Sequence, residues 1–489
     1  MTAAEHYDVV IVGAGNAGLP CAIEAGSRGL RTLLIEKDVR IGGCLHTTGG
    51  HIAAAGARRQ HELGIEDHIE WHLDDIESIT RGSHRADIVE VAVHGAADAV
   101  DWLDDNGFRF AAGTPRIVYG HPPYRVARTY YGPDGGLSLL ETFTKMLNDQ
   151  VEAGAVEVWT DSPMIGLVAG ADGSSVSTVH VLKRGVDVEV SAGAVVLATG
   201  GFASNAELFE EIEGVPLVSA AHPTDTGDGL VLARELGAAL QGQGKFLPTF
   251  GGLPHPTTPG RVQWEDRPVL TTPERAPWEI YVDRAGSRWV AEDAESIDTK
   301  ERALIANVPD MTFWTVFDDR GRQESVPMVV NWKPADIDAK ANVRAGVFKA
   351  DTLAELAALA GIDAAGLTET IERYNDAVVA GTDDEYGRTF LPAAIATAPF
   401  YAMENHGIAL LTYAGIDVDV EARVRRADGS VFSNLYAIGE AMGGAATHGH
   451  AILSGMTCTP AIVYGRRVAR RLATLAATAP NLRSGTSPY

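Results

Sequence analysis

Gly13-Ala14-Gly15-Asn16-Ala17-Gly18 fits the spacing GxGxxG. That spacing suits the holding of a diphosphate against backbone. The first glycine permits a tight turn, the second lets the backbone approach the pyrophosphate, and the third lets a helix pack closely on a strand. A helix starting at such a turn turns its free N–H groups and positive dipole end toward the anion. Glu36 follows at the end of the next apolar run, roughly 20 residues on, where a carboxylate accepts hydrogen bonds from ribose hydroxyls. The hexapeptide alone is weak evidence; the acidic residue at that distance makes it a dinucleotide fingerprint.

Other residues have the types needed to move a proton. Arg288 and Glu292 stand four apart in Gly-Ser-Arg-Trp-Val-Ala-Glu-Asp (286–293). The same spacing makes an ordinary ion pair on any helix. Tyr413 and the run Thr447-His448-Gly449-His450 bring a phenol and two imidazoles late in the chain. An imidazole changes charge near neutral pH, so it can act as acid, base or carbonyl donor. A pair of histidines satisfied by backbone groups is the plain alternative. No third ligand stands near them, so no metal site is expected. Tyr119, Tyr124, Tyr130 and Tyr131 form an aromatic group that suits either a pocket wall or an interdomain core.

These residues need a frame. Tyr7 to Val12 is an apolar run rich in Val and Ile, the pattern of a fully buried parallel strand. Leu19 to Gly29 has apolar residues at helical spacing, and Thr32 to Ile35 is a second buried strand, which completes a βαβ unit. Ala194 to Ala198, followed by Thr199-Gly200-Gly201, is a further strand of the same kind. Leu435 to Ile438, followed by Gly439-Glu440, is another. One sheet is therefore expected from both ends of the chain. From about Leu240 to Arg388 the sequence changes to Pro-rich loops, aromatics and mixed strands. The expected architecture is α/β: a discontinuous Rossmann-like nucleotide domain at 1–239 and 389–489, with an α+β capping domain at 240–388 inserted in it.

NAD could use the same fingerprint. Gly42-Gly43 and then Thr47-Thr48-Gly49-Gly50 come soon after the second strand, and with them the chain resembles the fumarate reductase and 3-ketosteroid dehydrogenase superfamily of flavoproteins. The matching pieces run in order along the chain: GAGNAG (13–18), IEK (35–37), GGCLHTTGG (42–50), RTYYGPDGG (128–136), ATGGF (198–202), TGDGL (226–230), GSRWVAED (286–293), YAIGE (436–440) and the segment 453–465. The resemblance implies FAD. It implies cofactor contacts from Gly13, Gly15, Asn16, Ala17, Gly18, Glu36, Lys37, Gly43, Cys44, Thr48, Gly49 and Gly50. It places Thr199, Gly200 and Gly201 beside the adenosine, adds Asp228, and sets Glu440 on the ribose or ribityl hydroxyls. Ser454, Gly455 and Met456 would open a helix whose N-terminus faces the pyrimidine side of the isoalloxazine, where a helix dipole stabilises negative charge. Membrane-bound relatives attach FAD through a His in the region of His46. Here that His lies nearer the Gly-Gly pair than their pattern has it, so non-covalent FAD is expected.

The resemblance also implies hydride exchange between the flavin and a carbon near an electron-withdrawing group, with a proton moving at the neighbouring carbon. Fumarate reductases use an Arg as the acid; the match to GSRWVAED carries that role to Arg288, with Glu292 as its partner. Their two dicarboxylate-binding His and a second Arg are absent. The matching stretches are Lys245 to Thr249, with Leu247 in the first His place, and Leu410 to Gly415, apolar in the second; Ile452 stands at or near the Arg place. The tyrosines of the ketosteroid dehydrogenases are also missing, with Ser296 and Ala451 at those places. Tyr413, His448 and His450 are the remaining candidates. The expected activity is oxidation or reduction of a CH–CH bond next to the carbonyl of a cyclic or largely apolar ketone. Two alternatives stay open: an enone or enoate reductase for a non-dicarboxylate substrate, and an electron carrier with no substrate of its own.

Bulk properties narrow the partners. The 489 residues suit two or more domains. A net charge of -25 disfavours nucleic acid and anionic membrane. No run of apolar residues is long enough to span a membrane, and the polar start of the chain has no export pattern. Three cysteines without a CxxC pattern suit the reducing cytoplasm. No second GxGxxG occurs, so the electron partner is expected to be separate: a quinone, an electron-transfer protein, oxygen or free reduced flavin.

Overall fold

The computed structural model describes residues 5–119 and 121–478. The first strand, Glu5–Val12, lies near the middle of an eight-stranded sheet. Thr32–Ile35 runs parallel on one side of it and Val186–Leu197 on the other. Val12 lies opposite both Ile35 and Leu197, so all three strands end together at the diphosphate turn. Val156–Trp159 extends the sheet beyond Thr32–Ile35, and Val431–Ala437 extends it beyond Val186–Leu197, both in parallel. The sheet is thus built from both ends of the chain. Side chains of Val9 to Val12 are buried on both faces, which explains the continuous apolar run.

Two helices cover this sheet where the turn is made. Gly18–Ser27 follows the glycine turn, and Cys458–Thr478 packs along it. A Cβ at Gly465 would fall 2.6 Å from the Ala17 carbonyl oxygen, so glycine is what lets the two helices approach.

The cap is built on a second, antiparallel sheet in the order Thr249–Phe250, Phe400–Ile408, Thr312–Asp318, Ile280–Val282, with Val347–Ala350 also on Phe400–Ile408. Leu353–Ala360 and Ala364–Ala380 close one face over Val282, Trp314 and Val316. Phe250, Tyr281, Trp289 and Phe313 pack their rings together on the other. The insertion is α+β, but it reaches further than the boundary at 388. Phe400–Ile408 pairs residue by residue with Thr312–Asp318, Thr315 facing Met403, and so belongs to the cap. The chain leaves the nucleotide domain at Leu240–Gln241 and returns at Gly415–Ile416, and these two segments pair with each other. Among the described residues, no helix is long and apolar enough to cross a membrane.

Candidate active site

The parallel strands end on a cavity lined from both ends of the chain. Gly13, Gly15, Asn16 and Ala17 line it from the first turn, Glu36 and Lys37 from the second strand, and Gly43, Cys44 and Thr48 from the loop that follows. Thr199 and Gly200 line it from the third strand, with Asp228 and Glu440 completing that side. A Cβ at Gly13 would fall 2.2 Å from the Ala198 carbonyl oxygen, and Gly13 has φ +102°; a Cβ at Gly18 would fall 1.8 Å from the Gly13 carbonyl oxygen. Gly15 is different. Its only neighbour in that direction is the Gly42 carbonyl oxygen at 3.9 Å, so the backbone there stands open to the cavity.

The polar lining is matched to hydroxyls rather than to a second anion. Glu36 accepts from the Ala14 and Asp38 N–H groups, both at 2.9 Å, and burial raises its pKa. Glu440 accepts from the Thr412 N–H at 2.8 Å and from Thr412 Oγ1 at 3.2 Å. Burial, with Asp225 next to it, raises the Glu440 pKa. Asp225 is itself pushed up to about 6, chiefly by burial. Lys37 Nζ donates to Asp228 Oδ2 at 2.8 Å and to Thr226 Oγ1 at 2.6 Å, tying the second strand to helix Asp228–Glu235. Asn16 Oδ1, Thr199 Oγ1 and Asp225 Oδ1 are buried without a partner. Buried polar atoms are nearly always paired in native proteins. Three unpaired ones around a glycine cradle fit a ligand carrying ribose and ribitol hydroxyls and a diphosphate, as FAD does.

The remaining cofactor candidates shape the walls rather than line the cavity. Gly201 leaves room for Thr412 and Glu440, which a Cβ there would strike. Gly50 packs against Gly135 and Gly136, and the Thr48 carbonyl beside Gly49 accepts from Gly136 N–H at 2.9 Å. Ser454 Oγ accepts from Thr129 Oγ1 at 3.2 Å, and its carbonyl accepts from Tyr124 Oη at 2.8 Å. Gly455, at φ +79°, packs on Ala53, and Met456 is fully buried. The final helix starts at Cys458, three residues later than expected, and Thr457 and Cys458 reach the cavity at its N-terminus. Sequence reasoning missed these two, together with Ser162, Met164, Thr224 and Asp225. The signal for Asp225 was its place just ahead of Thr-Gly-Asp-Gly (226–229). His46 does not line the cavity; its Nε2 lies 3.0 Å from the Ile41 carbonyl oxygen.

Arg288 and Glu292 stand apart from this cavity. Arg288 is 3% exposed and Glu292 0%, inside the cap. The guanidinium is held by Glu292 and Asp383, with the Tyr374 and Tyr386 rings beside it, and Arg388 Nη1 donates to Glu292 from the other side at 3.1 Å. Burial acts against the charge on Arg288, but these carboxylates outweigh it and hold its pKa above the usual value. Arg288 thus makes four hydrogen bonds to two carboxylates inside the cap.

Tyr413, His448 and His450 lie at the junction of cap and nucleotide domain. Tyr413 is buried and donates its hydroxyl to the Ala451 carbonyl at 3.0 Å, while its ring meets Phe246 edge-on at 6.0 Å. The segments bearing Leu247, Leu411 and Ile452 therefore converge. His448 Nδ1 accepts from the Leu453 N–H at 3.1 Å, which puts the ring proton on Nε2, 3.1 Å from Thr457 Oγ1. Burial lowers the His448 pKa to about 4, so the ring is neutral at physiological pH and buttresses the turn before the last helix. His450 N–H donates to Ser83 Oγ, and its carbonyl accepts from Arg302 Nη2 at 2.5 Å. Of the four tyrosines, Tyr124 and Tyr130 are buried, and Tyr119 is exposed.

Comparison with known proteins agrees with this geometry. The family model described as FAD binding domain matches residues 8–457. The chain is 27% identical over 470 residues to a probable fumarate reductase, Ifc3, of Shewanella frigidimarina, covering 94% of this chain and 74% of that one. It is 26% identical over 522 residues to digoxin reductase of Eggerthella lenta, covering 96% and 87%. A solved 3-ketosteroid Δ1-dehydrogenase from Sterolibacterium denitrificans shares the fold, with a TM-score of 0.76 at 21% identity over 96% of this chain and 100% of that one. With the cavity, the glycine cradle and the family match in agreement, the chain belongs to the FAD binding domain family and is an FAD-dependent dehydrogenase or reductase.

Proposed function

We propose that the protein exchanges a hydride and a proton across the carbon–carbon bond next to a carbonyl group, in a cyclic, largely apolar ketone or its enone. The supporting observation is the convergence of the segments around Phe246, Tyr413 and Ala451; by the resemblance, Leu247, the stretch Leu410 to Gly415 and the neighbourhood of Ile452 stand where a dicarboxylate would need cations or imidazoles. Removing such charged clamps disfavours a small dianion. FAD, when bound, supplies the centre that accepts or donates the hydride. The chain's own part is to hold the diphosphate on the glycine turn and to bind the hydroxyls through Glu36, Asp225 and Glu440.

FAD is held non-covalently in this reading, since His46 stands off the cavity. Its electrons are exchanged with a separate partner, a quinone, an electron-transfer protein or oxygen. The three unpaired cysteines support a cytoplasmic location. Likeness to digoxin reductase favours the reductive direction as a second reading. Anaerobic mixing tests both. Oxidised holoenzyme is mixed with 3-ketosteroids and cyclic ketones, and reduced holoenzyme with the matching enones. Bleaching or return of the flavin absorbance is expected in at least one set. A flavin spectrum that stays constant with every compound would defeat the proposal.

A further inference from the structure

The domain junction contains two buried polar groups that the fold leaves unsatisfied. Glu301, on the cap helix Ile297–Asn307, is 0% exposed; neither of its carboxylate oxygens has an aligned hydrogen bond, and the Phe250 N–H is near enough to act on its charge. His121 approaches from the nucleotide domain. Its Nε2 lies 3.4 Å from Glu301 Oε1, near enough for attraction but not aligned for a hydrogen bond, and it too is buried without a partner. A buried acceptor left unmade costs stability. Such groups persist where a ligand or a proton transfer uses them.

Their surroundings leave the pair free to act. Asp298 and Arg302, on the same helix as Glu301, are bonded to each other at 2.8 and 3.1 Å, and Arg302 also holds the His450 carbonyl. Arg267, from the cap, is engaged with the carbonyls of Gly251 and Phe250 at 3.2 and 2.9 Å. Tyr413 and His448 face the pair from the nucleotide domain, each committed to its own partner. Thr457, the partner of His448, lines the FAD cavity. Tyr124, three residues after His121, holds the Ser454 carbonyl in the same turn. The pair therefore lies beside the turn that opens the last helix.

We infer that Glu301 and His121 are the acid–base pair of the reaction proposed above, with Glu301 exchanging a proton with the substrate carbon and His121 relaying it to solvent. In reduction, the double bond gains a hydride from the reduced cofactor at one carbon and a proton from Glu301 at the next. Glu301 is left as a carboxylate and regains its proton from water through His121. Dehydrogenation runs the same steps backward. The exposures fit this division: the His121 side chain is 22% exposed and that of Glu301 0%. The resting protonation fits as well. Burial raises the Glu301 pKa well above the carboxylate range and lowers that of His121 to about 4, which favours the neutral form of both groups.

Infrared difference spectroscopy of the holoenzyme, reduced minus oxidised, tests the pair without any substrate. Wild type should show a protonated-carboxyl band that responds to flavin reduction. Glu301→Gln should remove it, and Glu301→Asp should move it, which keeps the test decisive if the Gln variant fails to fold. His121→Gln should keep the band and slow its exchange in D2O. A spectrum unchanged in both Glu301 variants would overturn the inference, and unchanged exchange in His121→Gln would overturn the relay. The inference rests on the proposed ketone or enone chemistry, so turnover of the same enone set is read alongside. Glu301→Gln should lower turnover about 10²–10⁴-fold with FAD still bound; wild-type turnover in that variant would also overturn the pair. No turnover by wild type, with the infrared result intact, would defeat the substrate class and leave the pair standing.

Discussion

Arg288 donates to Glu292 from Nε at 2.8 Å and from Nη2 at 2.7 Å, and the same guanidinium donates to Asp383 at 3.2 and 2.9 Å. Two carboxylates thus hold one buried cation through four hydrogen bonds. Removing one partner of such a pair strands the other's charge, which costs about 3–5 kcal/mol. Glu292→Gln should lower stability by that order in a urea titration, with FAD affinity and turnover per folded molecule little changed. A large loss of turnover at full stability would restore Arg288 and Glu292 to the chemistry.

The glycine turn separates folding from binding. Gly15→Ala adds a methyl group toward the open cavity, whereas Gly18→Ala drives one into the Gly13 carbonyl. Gly15→Ala should fold with a near-wild-type melting temperature and lose at least about tenfold in FAD affinity, about 1.4 kcal/mol. Gly18→Ala should be recovered mostly unfolded. Equilibrium flavin titration beside thermal melting distinguishes them.

The buried His448 makes an acid-sensitive contribution. Its pKa falls from the ordinary 6.5 to about 4 in the folded protein. Between those values the unfolded chain binds more protons, so stability rises with pH there. The contribution is present above about 6.5 and lost as pH falls through about 4. Asp225 runs the other way, with its pKa raised from 3.8 to about 6, and its contribution is lost as pH rises through about 6. Melting curves of wild type and His448→Gln should therefore converge on acidification from pH 6.5 to 4. A constant gap across that window would contradict the assignment.

His46 tests the mode of attachment. Its ring lies against the Ile41 carbonyl, with His222 at 6.4 Å. Denatured holoenzyme should release its flavin into the supernatant, and His46→Ala should retain FAD in the native state. Flavin fluorescence that travels with the denatured polypeptide would show a covalent bond.

The nucleotide half was readable because its signals are local. Thr32–Ile35 is a strand over the four residues expected, and the turn, helix and Glu36 follow one another within a single βαβ unit. The cap was harder. Phe400–Ile408 carries Glu404, Asn405 and His406 in one run, which looks like a loop until Thr312–Asp318 pairs with it across a long stretch of chain. Arg288 and Glu292 suggested a helical pair by their spacing, yet Arg288 sits in an isolated bridge to Val282. The run Asp298 to Arg302 carries five charged or polar residues, yet Lys300 and Glu301 are both 0% exposed, Lys300 because it donates inside the cap to the Leu270 carbonyl and Thr272 Oγ1. Burial created by a distant segment leaves no periodic trace in the buried residues themselves.

The packing of Gly18–Ser27 on Cys458–Thr478 sets a timetable for biosynthesis. A ribosome delivers the diphosphate turn first and its opposite wall last. Until Ala461 has emerged, the cavity lacks one side, and Val195 to Leu197, already paired with Val10 to Val12, lack their second neighbour until Leu435 to Ala437 arrive. The nascent chain must carry an open sheet edge through synthesis of the whole cap, the kind of exposure that invites misassembly. A chain interrupted upstream of Ala461 lacks the wall that Thr457, Cys458 and Ala461 supply, and is expected to hold flavin less tightly than the whole chain.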